Sequence, residues 1–228
     1  MITIAIDGFS STGKSTLAKQ LATKLGYIFV DTGAMYRAIT LFAIRNDIIG
    51  NDFFKIDELI EKLPLIKLDF KFNSTVGFAE LYLNDVNVET EIRTMNVSNF
   101  VSKIAEISEV RSKLVEQQQQ MGKNKGIVMD GRDIGTVVFP GAELKLFMTA
   151  SPDVRAQRRF EELHLTDPSI TFESVFENVQ KRDYIDSHRT DSPLKMADDA
   201  IEIDNSFLSR EEQFELVMEL VADCTKSK

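Results

Sequence analysis

Cysteine is almost missing from this 228-residue chain: Cys224 stands alone. No intramolecular disulfide can form, which excludes a secreted, disulfide-stapled scaffold. Positive charge is also in short supply. Lys and Arg number 27 against 36 Asp and Glu, a formal net charge of −9. That balance argues against broad electrostatic adhesion to nucleic acid or an anionic membrane, although a small anionic ligand needs only local positive charge. Nowhere is there the run of about 18 apolar residues that a spanning helix requires. The opening Met1-Ile2-Thr3-Ile4 has no basic stretch of the signal-peptide kind and meets Asp7 within a few residues, so the expected address is the cytoplasm. Internal repeats and linker-like tracts are lacking too. With 43% hydrophobic and 28% charged residues, the expectation is one soluble core with embellishments, burying roughly 70–75% of its unfolded surface.

Ile2–Ile6 is a short apolar run rich in β-branched residues, followed at once by a Gly/Ser/Thr cluster, and reads as a buried strand entering a loop. From Thr16 to Leu25 the apolar residues fall at helical spacing, and Gly26 is a stop signal. Tyr27–Val30 reads as a second strand and Ala34–Asn46 as a second helix, the pattern of a parallel sheet covered by helices. The middle differs. After a short helix near Asp57–Leu63, the segments Leu65–Phe72, Phe78–Leu83 and Val86–Val88 alternate like strands, with Asn84-Asp85 as a turn. The expectation is a small antiparallel insert at about 63–95. One long helical stretch is expected over Asn96–Met121. Strands at Gly126–Met129, Leu144–Met148 and Ala200–Ile203 follow, with helices near Asp153–Leu163, Phe172–Ser187 and Arg210–Asp223.

The strongest local signal is Gly8-Phe9-Ser10-Ser11-Thr12-Gly13-Lys14-Ser15-Thr16, which fits G-x-x-x-x-G-K-[ST], with a strand before it and a helix after it. A loop that wraps a triphosphate turns its backbone N–H groups inward, and glycines stand where side chains would clash. The helix beginning near Lys14 points its positive end at the phosphates. Lys14 is expected to reach the β- and γ-oxygens, and the Ser15 hydroxyl to ligate Mg²⁺. The bland alternative, a Gly/Ser turn that happens to carry a lysine, fits neither the full pattern nor its context. Two other classes of phosphate-loop protein lack their marks here. Asn124-Lys125 continues into Gly126-Ile127 rather than a guanine-reading Asp, and Gly131 follows Asp130 where a hydrolytic ATPase usually carries a second acidic residue. These absences favour transfer to a bound acceptor over hydrolysis.

Two more loops end core strands: Asp31-Thr32-Gly33-Ala34-Met35-Tyr36-Arg37 and Asp130-Gly131-Arg132-Asp133-Ile134-Gly135-Thr136. In open parallel sheets ligands sit beyond the carboxyl ends of the strands. Asp130 is a candidate for holding Mg²⁺ through water, or else a structural carboxylate capping its own loop. The arginines cluster as well. Of eleven in the chain, Arg155, Arg158, Arg159, Arg182 and Arg189 lie in the helical region after Pro152, with Arg182, Asp186 and Arg189 at i, i+4 and i+7. Singly each could be a surface ion pair; together, beside a phosphate loop, they are expected to serve phosphates. His164, His188 and Cys224 form no pattern that would hold a transition metal.

With those motifs the chain resembles the cytidylate kinase family of nucleoside monophosphate kinases. The resemblance rests on Gly8–Thr16, Asp31–Arg37, Glu91-Ile92-Arg93-Thr94, Val110-Arg111, Asp130–Pro140, Arg155–Arg159 and Arg182–Arg189. It covers nearly the whole chain, in order, and the stretch Asp130–Pro140 is its most specific part. The resemblance implies a five-stranded parallel core flanked by helices, a monophosphate-binding insert and a helical lid at about 155–171. It also implies γ-phosphoryl transfer from Mg·ATP to CMP or dCMP by a monomer acting on small molecules alone.

By that similarity Thr32 and Asp133 help hold the acceptor nucleoside, with Arg182 and Asp186 near its sugar or base. Arg37, Arg111, Arg132 and Arg189 serve the acceptor phosphate and the transferring group, and Arg158 or Arg159 clamps the donor. Family members commonly have Pro and Gly where this chain has Phe9 and Ser11, and Ser where it has Thr32. The competing readings are a kinase of the same fold for another acceptor, such as AMP or UMP, and a non-catalytic protein that binds ATP without turnover.

Overall fold

The computed structural model describes residues 1–226. Along the chain, β1 (Thr3–Gly8) leads into α1 (Lys14–Leu25), β2 (Ile28–Asp31) into α2 (Thr32–Arg45), and α3 (Ile56–Lys62) precedes β3 (Leu68–Asn73), β4 (Phe78–Leu83) and β5 (Val86–Asn87). Helices α4 (Met95–Ala105) and α5 (Ser108–Met121) follow, then β6 (Ile127–Gly131), β7 (Leu144–Thr149), α6 (Pro152–His164), α7 (Phe172–His188), β8 (Ile201–Asp204) and α8 (Arg210–Lys226). Chain packing divides into two compact units, one made of Met1–Asp31 with the stretch from Gln118 onward, the other of Thr32–Gln117.

The first unit is built on a five-stranded sheet in the order β2-β6-β1-β7-β8, every neighbouring pair parallel. Parallel strands need covering on both faces, and β1 is accordingly buried at every position. Ile4 and Ile6 pack with Leu17 and Leu21 of α1, Val128 of β6, Leu146 and Met148 of β7, and Val217 of α8. Each such side chain contributes on the order of 2 kcal/mol of transfer free energy. Because all five strands run the same way, their C-terminal ends share one edge, and Asp31 lies directly across from Asp130.

The second unit holds the expected antiparallel patch as a three-stranded sheet, β3-β4-β5. The two-residue loop Asn84-Asp85 has both φ values positive, 48° and 67°, the geometry that matches the twist of a tight hairpin. The first strand begins later than the alternation suggests, because Leu63–Leu65, with Pro64, form a 3₁₀ turn first. Lys113 of α5 donates from Nζ to the carbonyls of Leu63 and Ile66, and Gln117 to that of Leu68. Burial pulls the Lys113 ammonium below its ordinary pKa.

The single helix expected over Asn96–Met121 is two. No glycine or proline marks the break; Arg111, 2% exposed, donates from Nη1 to the Ala105 carbonyl (3.2 Å) and so satisfies a group at the end of α4.

Candidate active site

The phosphate loop occupies residues 8–16, from the last residue of β1 to the first turn of α1. Gly8 has φ +140°, and a Cβ there would sit 2.0 Å from the Met148 carbonyl oxygen of β7. Glycine is therefore required by both conformation and space. Three residues on, Ser11 takes φ 59°, a left-handed conformation that glycine adopts at no steric cost. Phe9 stands edge-on to Phe147, ring centroids 6.1 Å apart, and carries the Arg155 guanidinium 5.1 Å over its face.

Within the loop, Lys14 is buried; its Nζ donates to the Phe9 carbonyl and, at 3.3 Å, to Thr12 Oγ1. Burial and then Arg132 depress the lysine's pKa well below its usual value, while Asp130 and Asp7 oppose the shift. The Ser15 hydroxyl, in the first turn of α1, donates to Asp130 Oδ2 near the end of β6 at 2.7 Å. A hydroxyl and a carboxylate held together offer hard oxygen ligands of the kind Mg²⁺ takes, the remaining positions being left for water and phosphate. Among the described residues no group of three or more His, Cys, Asp or Glu could hold a metal on its own.

Beyond β6, Arg132 donates from Nε to Asp186 Oδ2 of α7 at 3.0 Å. Burial pushes the Asp186 carboxyl upward, but Arg132, Arg182 and Arg189 together hold it below the ordinary carboxylate range. Arg189 Nη2 comes within 4.0 Å of Asp133 Oδ1, and both are buried. The expected i, i+4, i+7 stripe is shortened at its end: α7 stops at His188, and Arg189 is its extended C-cap residue, donating from Nε and Nη2 to the Ser192 carbonyl. The arginines of α7 and of the β6 loop thus meet around one carboxylate.

The α6 arginines part company. Arg155 is taken up by protein partners. It is 3% exposed, pairs with Asp183 Oδ2 at 2.7 Å, and donates to the carbonyls of Ala150 (2.9 Å) and Ser10 (3.4 Å). Its chemistry is spent bracing the phosphate loop from outside. Arg158 donates from Nη2 to the Asn205 carbonyl at 2.8 Å, and its buried Nη1 has no hydrogen-bond partner among the described residues. Burial, then Arg210, lowers its pKa. Arg159 pairs with Glu162 at 2.7 Å. Asn205, at the end of β8, donates from Nδ2 to the Thr12 carbonyl at 2.7 Å. Sequence reasoning missed Asn205; the available signal was that β8, like the other strands of its sheet, ends in a polar loop on the phosphate-loop edge.

Helices α6 and α7 form a hairpin whose turn end is packed by aromatic contacts: Phe160 with His164 (4.9 Å), Phe160 with Phe172 (6.2 Å) and Phe172 with Phe176 (5.9 Å). The Thr171 hydroxyl caps α7 by accepting from the Ser174 N–H. His188 stacks on Tyr184 at 4.3 Å.

The remaining expected site residues lie in the second unit. Thr32 is the buried first residue of α2, and Arg37 lies a turn and a half further along it. Arg111 places its guanidinium 5.7 Å over the Tyr36 ring, so α2 and α5 bring Tyr36 and Arg111 together. Arg93 of the Glu91–Thr94 motif pairs with Glu89.

A family model described as cytidylate kinase matches residues 4–223. A cytidylate kinase of Flavobacterium johnsoniae is 70% identical over 225 residues, 99% of this chain and 98% of that protein. One from Bacteroides thetaiotaomicron is 57% identical over 218 residues, 96% of this chain and 95% of its own length. Among solved structures, an uncharacterized protein from Eubacterium ventriosum superimposes with a TM-score of 0.51 over 97% of this chain and 98% of its own, at 10% identity, a likeness of fold alone.

Proposed function

The chain belongs to the cytidylate kinase family, and from that premise we infer that it moves the γ-phosphoryl group of ATP onto CMP or dCMP, giving ADP and CDP or dCDP. The observation that carries this reading is the gathering of half-buried Arg132 and Arg182 and buried Arg189 around the buried Asp186, in the same compact unit as Lys14. An acceptor phosphate is already an anion at neutral pH, so the reaction needs no strong base. It needs charge screening for two polyanions and exclusion of water. Cations held in place by buried counter-charges supply the first at little reorganisation cost.

In this reading Gly8–Thr16 wraps the donor phosphates and Lys14 reaches their β- and γ-oxygens. Ser15 directly and Asp130 through water would hold Mg²⁺, which would supply neutralising charge at the donor phosphates. Arg158 and Arg159 clamp the donor, the free Nη1 of Arg158 being the better placed for an anion. Arg37, Arg111, Arg132 and Arg189 serve the acceptor phosphate and the group in transit. Thr32 and Asp133 hold the acceptor nucleoside, and Arg182 and Asp186 lie toward its sugar or base. The hairpin at about 155–171 acts as a lid and the sheet at about 63–95 as the monophosphate-binding insert, both within one catalytic domain. No described helix is long and apolar enough to cross a membrane, and we read the enzyme as a cytoplasmic monomer.

The test is ADP release from Mg·ATP with CMP, dCMP, UMP, AMP and GMP offered separately, beside an acceptor-free control. Dominance of CMP and dCMP supports the reading. Preference for AMP or GMP would keep the phosphoryl chemistry and replace the acceptor. ATP binding with no acceptor-dependent turnover would remove the enzyme altogether.

A further inference from the structure

Asp7 sits one residue before the phosphate loop, 4% exposed, in the strand that β6 and β7 flank on either side. Its two carboxylate oxygens do separate work. Oδ1 accepts from the backbone N–H of Ile134 and Oδ2 from that of Gly135, both at 2.7 Å. Those amides are the first two of the single π turn Ile134–Val138, and the residue in the capping position, Asp133, makes no side-chain bond to cap it. Exposed amides at the start of a helical turn need acceptors. Here they are supplied from a strand 127 residues away in the chain.

The space is cut to fit. A Cβ on Gly135 would lie 3.2 Å from Lys145 Cδ and 3.3 Å from Asp7 Oδ2. The Lys145 stem therefore closes one side of the contact while its Nζ is tied to Asp199 at 2.8 Å. Burial lifts the Asp7 carboxyl to about pKa 6, against the pull of the Gly135 and Ile134 N–H bonds. Asp133 adds to that rise and Lys14 opposes it. A carboxylate is kept in so unfavourable a place by what it holds.

We infer that Asp7 is a positioning residue for the acceptor side of the reaction: it clamps the turn that follows Arg132 and Asp133 to the strand that launches the phosphate loop. This rests on the proposed acceptor roles of Arg132 and Asp133. Strand β1 keeps its own place through its pairing with β6 and β7, so loss of the carboxylate frees the 132–138 turn rather than the loop at 8–16. The prediction is asymmetric. Acceptor binding suffers and donor binding does not.

Asp7→Asn keeps the size but turns one acceptor into a donor facing an N–H group. The KM for CMP should rise about tenfold or more with the KM for ATP within twofold. Gly135→Ala, which presses on the same contact from the other side, should reproduce that split. Amide hydrogen exchange supplies a readout independent of activity: Ile134 and Gly135 should lose protection in Asp7→Asn while the amides of β1 keep theirs. Equal rises in the two KM values, an unchanged KM for CMP, or undiminished protection of both amides would each overturn the inference. If the wild-type protein turns over no CMP, the proposed function falls, and the exchange of Ile134 and Gly135 alone decides whether Asp7 holds the turn.

Discussion

Around the phosphate loop the ion pairs lie inside the protein: Arg155 with Asp183, Arg132 with Asp186 and Arg189 with Asp133 all have side chains at most 18% exposed. In the Thr32–Gln117 unit most pairs lie outside. Lys71–Asp85, Arg45–Glu91 and Lys55–Glu58 are one-third or more exposed on both partners, beside aromatic rings such as Phe72 and Phe53 that face solvent. Arg111 is the buried exception. Surface pairs contribute little to stability, whereas buried charges must be compensated one against another or the fold fails. The first unit has met that desolvation cost in advance, and its cations are held by carboxylates inside the fold. In the second unit most paired charges stay in water and carry little of that cost.

The hardest blow to that contrast is Lys14→Ala. It removes a buried cation from the loop, and the expected loss in CMP-dependent ADP release is about 10³-fold, the scale set by removing one preorganised charge from a transition-state site. A loss below tenfold would mean that the buried cations are structural. Next comes a matched pair of deletions followed by urea unfolding. Asp186→Ala strands Arg132, Arg182 and Arg189 and should cost about 3 kcal/mol or more, whereas Lys71→Ala should cost less than about 1 kcal/mol. Equal costs would erase the difference between the units.

Acidity sharpens the comparison further, because two buried carboxylates of the first unit have opposite signs. Asp186 has a depressed folded pKa. Its stabilisation is present above the unfolded value of about 3.9 and is lost as the pH falls through the lower folded value. The stability gap between wild type and Asp186→Asn should therefore close at pH 3 relative to pH 6. Asp7, raised from 3.8 to about 6, works the other way: the folded form binds its proton more tightly, so this group's contribution weakens as the pH climbs from about 4 to 6. Stability followed by urea midpoint across pH 3–7 in the wild type, Asp186→Asn and Asp7→Asn separates the two. The smallest effect concerns Ser11. Relieving its left-handed backbone by Ser11→Gly should raise stability by about 0.5–1 kcal/mol.

The elements were legible wherever their signal is local. The strand before the phosphate loop and the helix after it, the alternation at Phe78–Leu83 and the turn at Asn84-Asp85 all sit within a residue or two of their expected places. The break between α4 and α5 was not legible, because Glu106-Ile107-Ser108 carries no breaker and the kink is held by Arg111 reaching back to Ala105. Among candidate site residues, motif spacing found Lys14, Ser15 and Asp130, and the structure joins the last two by a hydrogen bond. Counting arginines could not tell Arg155, a brace, from Arg158, which keeps a free N–H. That distinction lies in Asp183 and in the Ala150 and Ser10 carbonyls, none of which is marked in the one-dimensional pattern. Asp7 and Asn205 were missed for the same reason: their partners are more than a hundred residues away.

Gly8 bears on how this loop can drift. Every missense change of its codon places a carbon 2.0 Å from a carbonyl oxygen of the neighbouring strand, so selection sees such alleles as nulls whatever the new side chain. At Phe9 the ring packs against Phe147 and Arg155, and at Ser11 the backbone takes a left-handed φ of 59°, so neither position meets such a wall. A saturated library across positions 8–11, selected for growth on this enzyme alone, would return a single residue at the first position and a spread at the second and fourth. The loop's evolutionary freedom is thus set by the strand it leaves more than by the ligand it encloses.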